Sequence, residues 1–187
     1  MQPARWSAAS WRPTRTMASD SESFDLSILG LSPVEGKRLE LEAELGEFEF
    51  AGEPYRPEPQ PCPVVVDVTR MNNGGWSLKL AFETTMRGTC MRCLGPAERT
   101  IAVEVREVDQ VDGGEELDSP YINGTEVALN QWAHDSLALA LPTQVICRPQ
   151  CLGLCPRCGI DLNADPGHEH EADKDPRWSK LDELKFD

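Results

Sequence analysis

Between Leu39 and Leu45 the chain alternates apolar Leu39, Leu41, Ala43 and Leu45 with Glu40, Glu42 and Glu44. Period two is the mark of a strand with one wet face, and it predicts a strand here despite the helix propensity of Leu, Glu and Ala. PVVVDVT and WSLKLAF flank Asn72-Asn73-Gly74-Gly75. Two β-rich runs around such a turn signal predict an antiparallel hairpin. TTMRGT then leads into CMRC and RTIAVEVREV leads away, with Ile101, Val103 and Val105 alternating and Val108 close behind. The pattern is a β-meander with Cys90 and Cys93 at the turn between two strands.

The period changes further on. Leu129, Trp132, Ala133, Leu137 and Ala140 fall at helical spacing, with Asn130 as the expected N-cap and Pro142 as the stop. This helix is expected to cover the open face of the sheet, with His134 as an ordinary surface or core histidine. Pro54, Pro57, Pro59, Pro61 and Pro63 crowd one stretch. They remove too many donors for a helix or sheet interior and predict an extended connector. DPRWSKLDELKF near the C-terminus offers Asp175 as a cap, Pro176 in the first turn and a stripe of Trp178, Leu181 and Leu184. It predicts a short docking helix.

The fold class expected is α+β: an antiparallel β-meander or partly closed barrel with one covering helix, a Cys-rich zinc-binding loop and a short C-terminal helix. Residues 1–23 are expected to be a disordered leader and 24–142 a β-rich body with its helix. Residues 143–187 complete one compact unit with that body, as a Cys-rich lobe and docking helix.

Charge narrows the partners. The 187 residues carry 18 Lys and Arg against 32 Asp and Glu, a net charge of −14. Such a surface repels phosphate backbones and steers toward basic partners. The acidic loop DQVDGGEELDSP is expected to be solvated surface. The first nineteen residues hold Arg5, Arg12 and Arg15 and no acid. That composition suits either an unstructured leader, with Met17 as the working start, or an organelle transit segment. No apolar run is long enough to span a membrane or to act as a secretion signal. A soluble cytoplasmic protein is expected, or a plastid one if the leader is a transit segment.

In a reducing compartment, clustered cysteines point to metal or redox chemistry rather than structural disulfides. Of the seven here, Cys62 stands alone in the Pro-rich stretch and is read as a bystander. The other six form Cys90/Cys93 and Cys147/Cys151/Cys155/Cys158. A Cys-x2-Cys turn presents two sulfurs to one zinc ion with little backbone strain, and the chain has two, CMRC and CPRC. Two wirings compete. Cys147, Cys151, Cys155 and Cys158 close one local site, or the two Cys-x2-Cys turns meet across the fold. His168 and His170 could add a second ion by joining Cys90 and Cys93. Loss of the zinc should unfold the C-terminal lobe, so Cys155→Ser is expected to expose residues 143–170 to protease and leave the meander folded.

Four thiolates leave no open coordination position, so a structural ion is expected rather than a catalytic one. Cys151-x3-Cys155-x2-Cys158 matches the spacing of radical iron–sulfur enzymes. Those enzymes place it early in a large α/β barrel, and here it follows a series of strands. There is no phosphate-binding Gly-rich loop, dinucleotide fingerprint or nucleophile elbow. The chain is read as a non-enzyme, with no catalytic residue and no small-molecule substrate.

The motifs taken together resemble a known family. CMRCL at 90–94, LALALP at 137–142, Cys147-x3-Cys151-x-Gly153-Leu154-Cys155-Pro156-x-Cys158-Gly159 with Leu162-Asn163, and DPRW at 175–178 occur in the order seen in the YceD family of large-subunit ribosomal RNA accumulation proteins. The resemblance implies a predicted metal-binding protein, with nucleic-acid binding as a further candidate property, needed for accumulation of 23S ribosomal RNA. It carries metal roles onto Cys90, Cys93, Cys147, Cys151, Cys155 and Cys158. His168 and His170 fall where some members have Cys-x-Cys, which favours them as ligands. Some relatives lack the second Cys cluster, so metal is not essential to the shared activity. The acidic balance favours a basic ribosomal protein or a precursor large subunit as partner over naked ribosomal RNA. A zinc-stabilised interaction module unrelated to ribosomes and a thiol redox switch are the alternatives.

Overall fold

The computed structural model of the protein describes residues 23–110, 113–114 and 117–170. The expected docking helix, and the expected leader apart from Ser23, lie outside the described residues. The main sheet has six antiparallel strands: β2 (Gly36–Ala43), β3 (Phe48–Phe50), β4 (Glu53–Glu58), β5 (Cys62–Arg70), β6 (Trp76–Thr89) and β7 (Pro96–Asp109). β6 is its spine. On one side β7 pairs with it along its whole length, from Trp76↔Asp109 to Thr89↔Pro96. On the other side β5 takes the first part and β4 the last. β2 extends the sheet beyond β5, and β3 pairs with β4.

The alternation read from the sequence becomes a two-faced sheet. Val64, Val66 and Val68 of β5, Leu78, Leu80 and Phe82 of β6, and Ile101 and Val103 of β7 are buried on one face. The helix α1 (Leu129–Ala140) lays Leu129, Trp132, Ala133 and Leu137 against that core, packing on β7 and β2. A small sheet of β1 (Phe24–Asp25), β9 (Glu126–Val127) and β8 (Ile122–Asn123) adds Val127 and Ile122. The opposite face carries ion pairs such as Arg38 with Asp67 at 2.6 Å and Lys79 with Glu104 at 2.9 Å. Among the described residues the fold class is α+β with one α-helix, and the sheets do not close into a barrel. Closure would need β2 to pair with β7, and α1 packs against both instead.

Three local expectations change. Pro54 and Pro57 lie inside β4 rather than in a connector. β4 bonds β3 through residues 53–55 and β6 through residues 56–58, so each half has one unbonded side where a missing N–H is tolerated. Asn130 does not cap α1. The cap position is Ala128, without a side-chain bond, and the Asn130 Oδ1 accepts from the Glu44 N–H at 3.0 Å, tying the helix to the chain after β2. Cys62, although no part of a cluster, is a fully buried core residue of β5 whose thiol pKa is raised by burial. His134 is a half-buried histidine at the edge of the core: its ring stacks on Phe48 at 4.5 Å, and Nδ1 lies 2.6 Å from the Leu45 carbonyl oxygen.

Tyr55 of β4 locks the far end of β6. Its ring packs where a Cβ on Gly88 would sit, and its hydroxyl donates to the Thr89 carbonyl oxygen at 2.6 Å. Any side chain at position 88 would displace that ring. The strand end is thereby fixed one residue before Cys90.

Candidate metal centres

Cys90 and Cys93 occupy the turn between β6 and β7, and the chain after α1 returns to meet them. The Met91 N–H donates to the Val145 carbonyl at 2.9 Å and the Cys147 N–H to the Cys90 sulfur at 3.4 Å. This brings Cys147 and Cys151 to the same point. The Cys90 and Cys151 sulfurs lie 3.9 Å apart and those of Cys93 and Cys147 3.7 Å apart, with all four within 4.8 Å of one another. A disulfide needs about 2.05 Å, whereas zinc at about 2.3 Å from four sulfurs sets tetrahedral edges of roughly 3.8 Å. The inner cluster has the second spacing.

Beyond Cys151 the chain turns away through Gly153, which has a φ of +81°. A side chain there would meet the Arg92 carbonyl oxygen at 2.9 Å. The second Cys-x2-Cys turn follows, and the tail folds back to place His168 and His170 on it. Cys155 Sγ lies 3.2 Å from His170 Nε2, Cys158 Sγ 3.1 Å from His168 Nε2, and the two Nε2 atoms 2.9 Å apart. All eight predicted ligands therefore fall into two groups, Cys90/Cys93/Cys147/Cys151 and Cys155/Cys158/His168/His170.

Neither expected wiring is the one seen. The local four-cysteine site is split between the two clusters, and the two Cys-x2-Cys turns lie in different clusters. His168 and His170 join Cys155 and Cys158, not Cys90 and Cys93. The reason lies in the chain path: the backbone pairing at Met91 and Val145 draws only the first half of the cysteine run to the sheet.

The electrostatics suit a cation. Burial works against a thiolate at Cys90, but the backbone N–H groups of Cys93, Cys147 and Arg92 outweigh it and bring its pKa to about 6. Desolvation, followed by the neighbouring thiols of Cys93, Cys151 and Cys90, pushes Cys147 up to about 12. One sulfur ionises easily and its neighbours then resist; a dication in the middle reverses that repulsion. In the outer cluster, backbone N–H groups of Arg157 and Cys158 lower Cys155 to about 6.

Asn163 is the supporting residue to which the sequence assigned no role. Its Oδ1 accepts from the Leu152 N–H at 3.0 Å and from Arg148 Nη2 at 2.8 Å, and its Nδ2 reaches the Cys151 sulfur at 3.7 Å. A side chain on the outer tail thus braces the inner loop, as outer-shell partners of metal ligands do. Its place in a Leu-Asn pair after the last cysteine was the available signal.

An antiparallel sheet under one helix, carrying two four-ligand Cys and Cys/His clusters that could each hold a metal ion, defines the class of protein. Residues 78–185, more than half of the chain and including every residue of both clusters, match the family described as Large ribosomal RNA subunit accumulation protein YceD. The chain belongs to that family. It is similar to uncharacterized protein Rv2926c of Mycobacterium tuberculosis and Mb2951c of Mycobacterium bovis, 38% identical over 103 residues, which is 52% of this chain and 49% of each relative. ML1660 of Mycobacterium leprae is 31% identical over 102 residues, 51% of this chain and 46% of that protein. The chain thus spans about half the length of the curated relatives it matches. No solved structure gives a significant match. No helix among the described residues is long and apolar enough to cross a membrane.

Proposed function

We propose that the protein is a non-enzymatic assembly factor supporting accumulation of large-subunit ribosomal RNA, acting in the cytoplasm through a basic ribosomal protein or precursor particle. Both clusters hold structural zinc in this reading. The observation that carries it is the family match, because it runs through both clusters and the strands that bear Cys90 and Cys93. Thiolate and imidazole donors gathered in fours suit zinc better than the oxygen-seeking calcium or magnesium. With four protein ligands per ion, no position is left for a reacting water. A net charge of −14 disfavours naked RNA and favours a basic protein. The outer edges of β2 and β7, each paired on one side only among the described residues, and the acidic segment at 109–118 are its contact surfaces.

Co-sedimentation tests the function. The tagged chain is expected to travel with precursor large subunits, and its depletion to lower 23S relative to 16S ribosomal RNA. Absence from those particles with an unchanged RNA ratio would remove the reading. Affinity for protein-free RNA that is micromolar or tighter and insensitive to salt would remove the choice of partner.

A further inference from the structure

The two Cys-x2-Cys turns are the same backbone structure used twice. In the first, the Cys90 N–H donates to the Gly95 carbonyl at 2.7 Å and the Leu94 N–H to the Cys90 carbonyl at 3.0 Å. In the second, the Cys155 N–H donates to the Ile160 carbonyl at 2.8 Å and the Gly159 N–H to the Cys155 carbonyl at 2.8 Å. The residue after the second cysteine must turn left-handed in both, with a φ of +76° at Gly159 and +58° at Leu94. Glycine enters that region freely, and leucine does so only against the clash of its Cβ. The fold therefore favours glycine at position 94 as it does at 159. The leucine brings no packing in return, since it is 64% exposed.

Leu94 has company. Leu152 is 55% exposed and Ile160 44%, on turns joined to the first by the Leu154 N–H donating to the Arg92 carbonyl at 3.0 Å. We propose that Leu94, with Leu152 and Ile160, anchors a basic protein partner on the metal lobe. The residue types choose protein over RNA. Single-stranded bases are held by stacking on aromatic faces; 90–95 and 144–170 contain no Phe, Tyr or Trp, and their two histidines are turned onto Cys155 and Cys158. Two of the lobe's arginines are spent internally, Arg92 on the Cys151 carbonyl at 3.1 Å and Arg148 on Asn163 at 2.8 Å. Charge points to a basic partner: the chain is at −14, and a dication held by the four inner cysteines as thiolates would leave that centre negative beside Leu94.

This inference rests on the ribosomal reading for its probe. Full-length zinc-loaded chain, as wild type and as Leu94→Gly, is titrated with basic proteins stripped by salt from purified large ribosomal subunits. Protein-free large-subunit RNA is titrated in parallel, and a photo-crosslinker at position 94 identifies the contact. The wild type is expected to bind and crosslink to a Lys/Arg-rich protein. Leu94→Gly is expected to weaken that binding at least about tenfold, the scale of losing one buried leucine, with zinc content unchanged and the melting temperature the same or higher. Leu94→Asn, which also tolerates a positive φ, is expected to behave in the same way. Equal binding by both variants, or a crosslink from position 94 to RNA, overturns the anchor and leaves the ribosomal reading standing. Wild type that binds neither probe overturns both.

Discussion

In the sheet-and-helix body, Val64, Val66, Val68, Leu78, Leu80, Trp132 and Leu137 are almost wholly buried against one another. In residues 147–170 only Cys151, Gly153 and Cys155 are buried. The body has apolar area to stabilise it; the lobe has two clusters of candidate metal ligands. Burial at about 25 cal/mol per Å² suffices for a core of that kind, whereas a loop of 24 residues with so little interior needs a staple. The two clusters differ in turn. The inner one joins the sheet to the lobe, because Cys90 and Cys93 sit between β6 and β7, and the outer one closes the lobe on itself.

Removing an inner ligand should separate body from lobe most sharply. Cys151→Ser is expected to lose one zinc by native mass spectrometry and to make residues 143–170 protease-sensitive while 36–140 stay protected. The cost should be several kcal/mol, part of the roughly 10–16 that structural zinc contributes in small peptides. A variant with the wild type's metal content and protease resistance would erase the distinction between body and lobe.

An outer substitution should have a smaller reach. Cys158→Ser is expected to retain one zinc and to confine new cleavage to residues beyond Gly153, because the inner cluster keeps all its ligands. Cys155→Ser belongs with it, so its effect should be narrower than the 143–170 expected from the sequence. Loss of both ions together would mean that the clusters fold as one unit, with Asn163 as the evident link.

The smallest effect belongs to the wet face of the body. Asp67 has its pKa lowered from 3.8 chiefly by the hydrogen bonds from Arg38. A carboxylate depressed on folding stabilises the native state above its unfolded pKa and loses that contribution as pH falls through the folded value. Arg38→Met is therefore expected to lower stability only slightly at neutral pH, and not at all once acid has protonated Asp67. Urea melts of both proteins at neutral and strongly acidic pH check this; a difference that persists in acid would assign the effect to packing.

Legibility tracked the range of the forces involved. The β5–β6 hairpin, the cysteine turn after β6 and the helix over 129–140 were readable because periodicity and turn chemistry act within a few residues. The β4 prolines were misread because tolerance of a missing N–H depends on which neighbour bonds which half of the strand. Asn130 was given to the helix it begins, and its side chain instead serves the chain after β2. For the same reason, the left-handed φ at Leu94 shows only when its turn is set beside that of Gly159.

The sequence by itself determined the ligand types, the two Cys-x2-Cys turns and the alternation that builds the sheet beneath the first of them. Which candidate ligands come together was decided only by tertiary structure. A Cys-x2-Cys turn supplies two sulfurs through local geometry, but four-fold coordination needs two more from elsewhere, and their arrival depends on the chain's route after α1. The bond from Met91 to Val145 delivers Cys147 and Cys151 to the sheet, and the turn at Gly153 carries Cys155 and Cys158 away to meet the histidines.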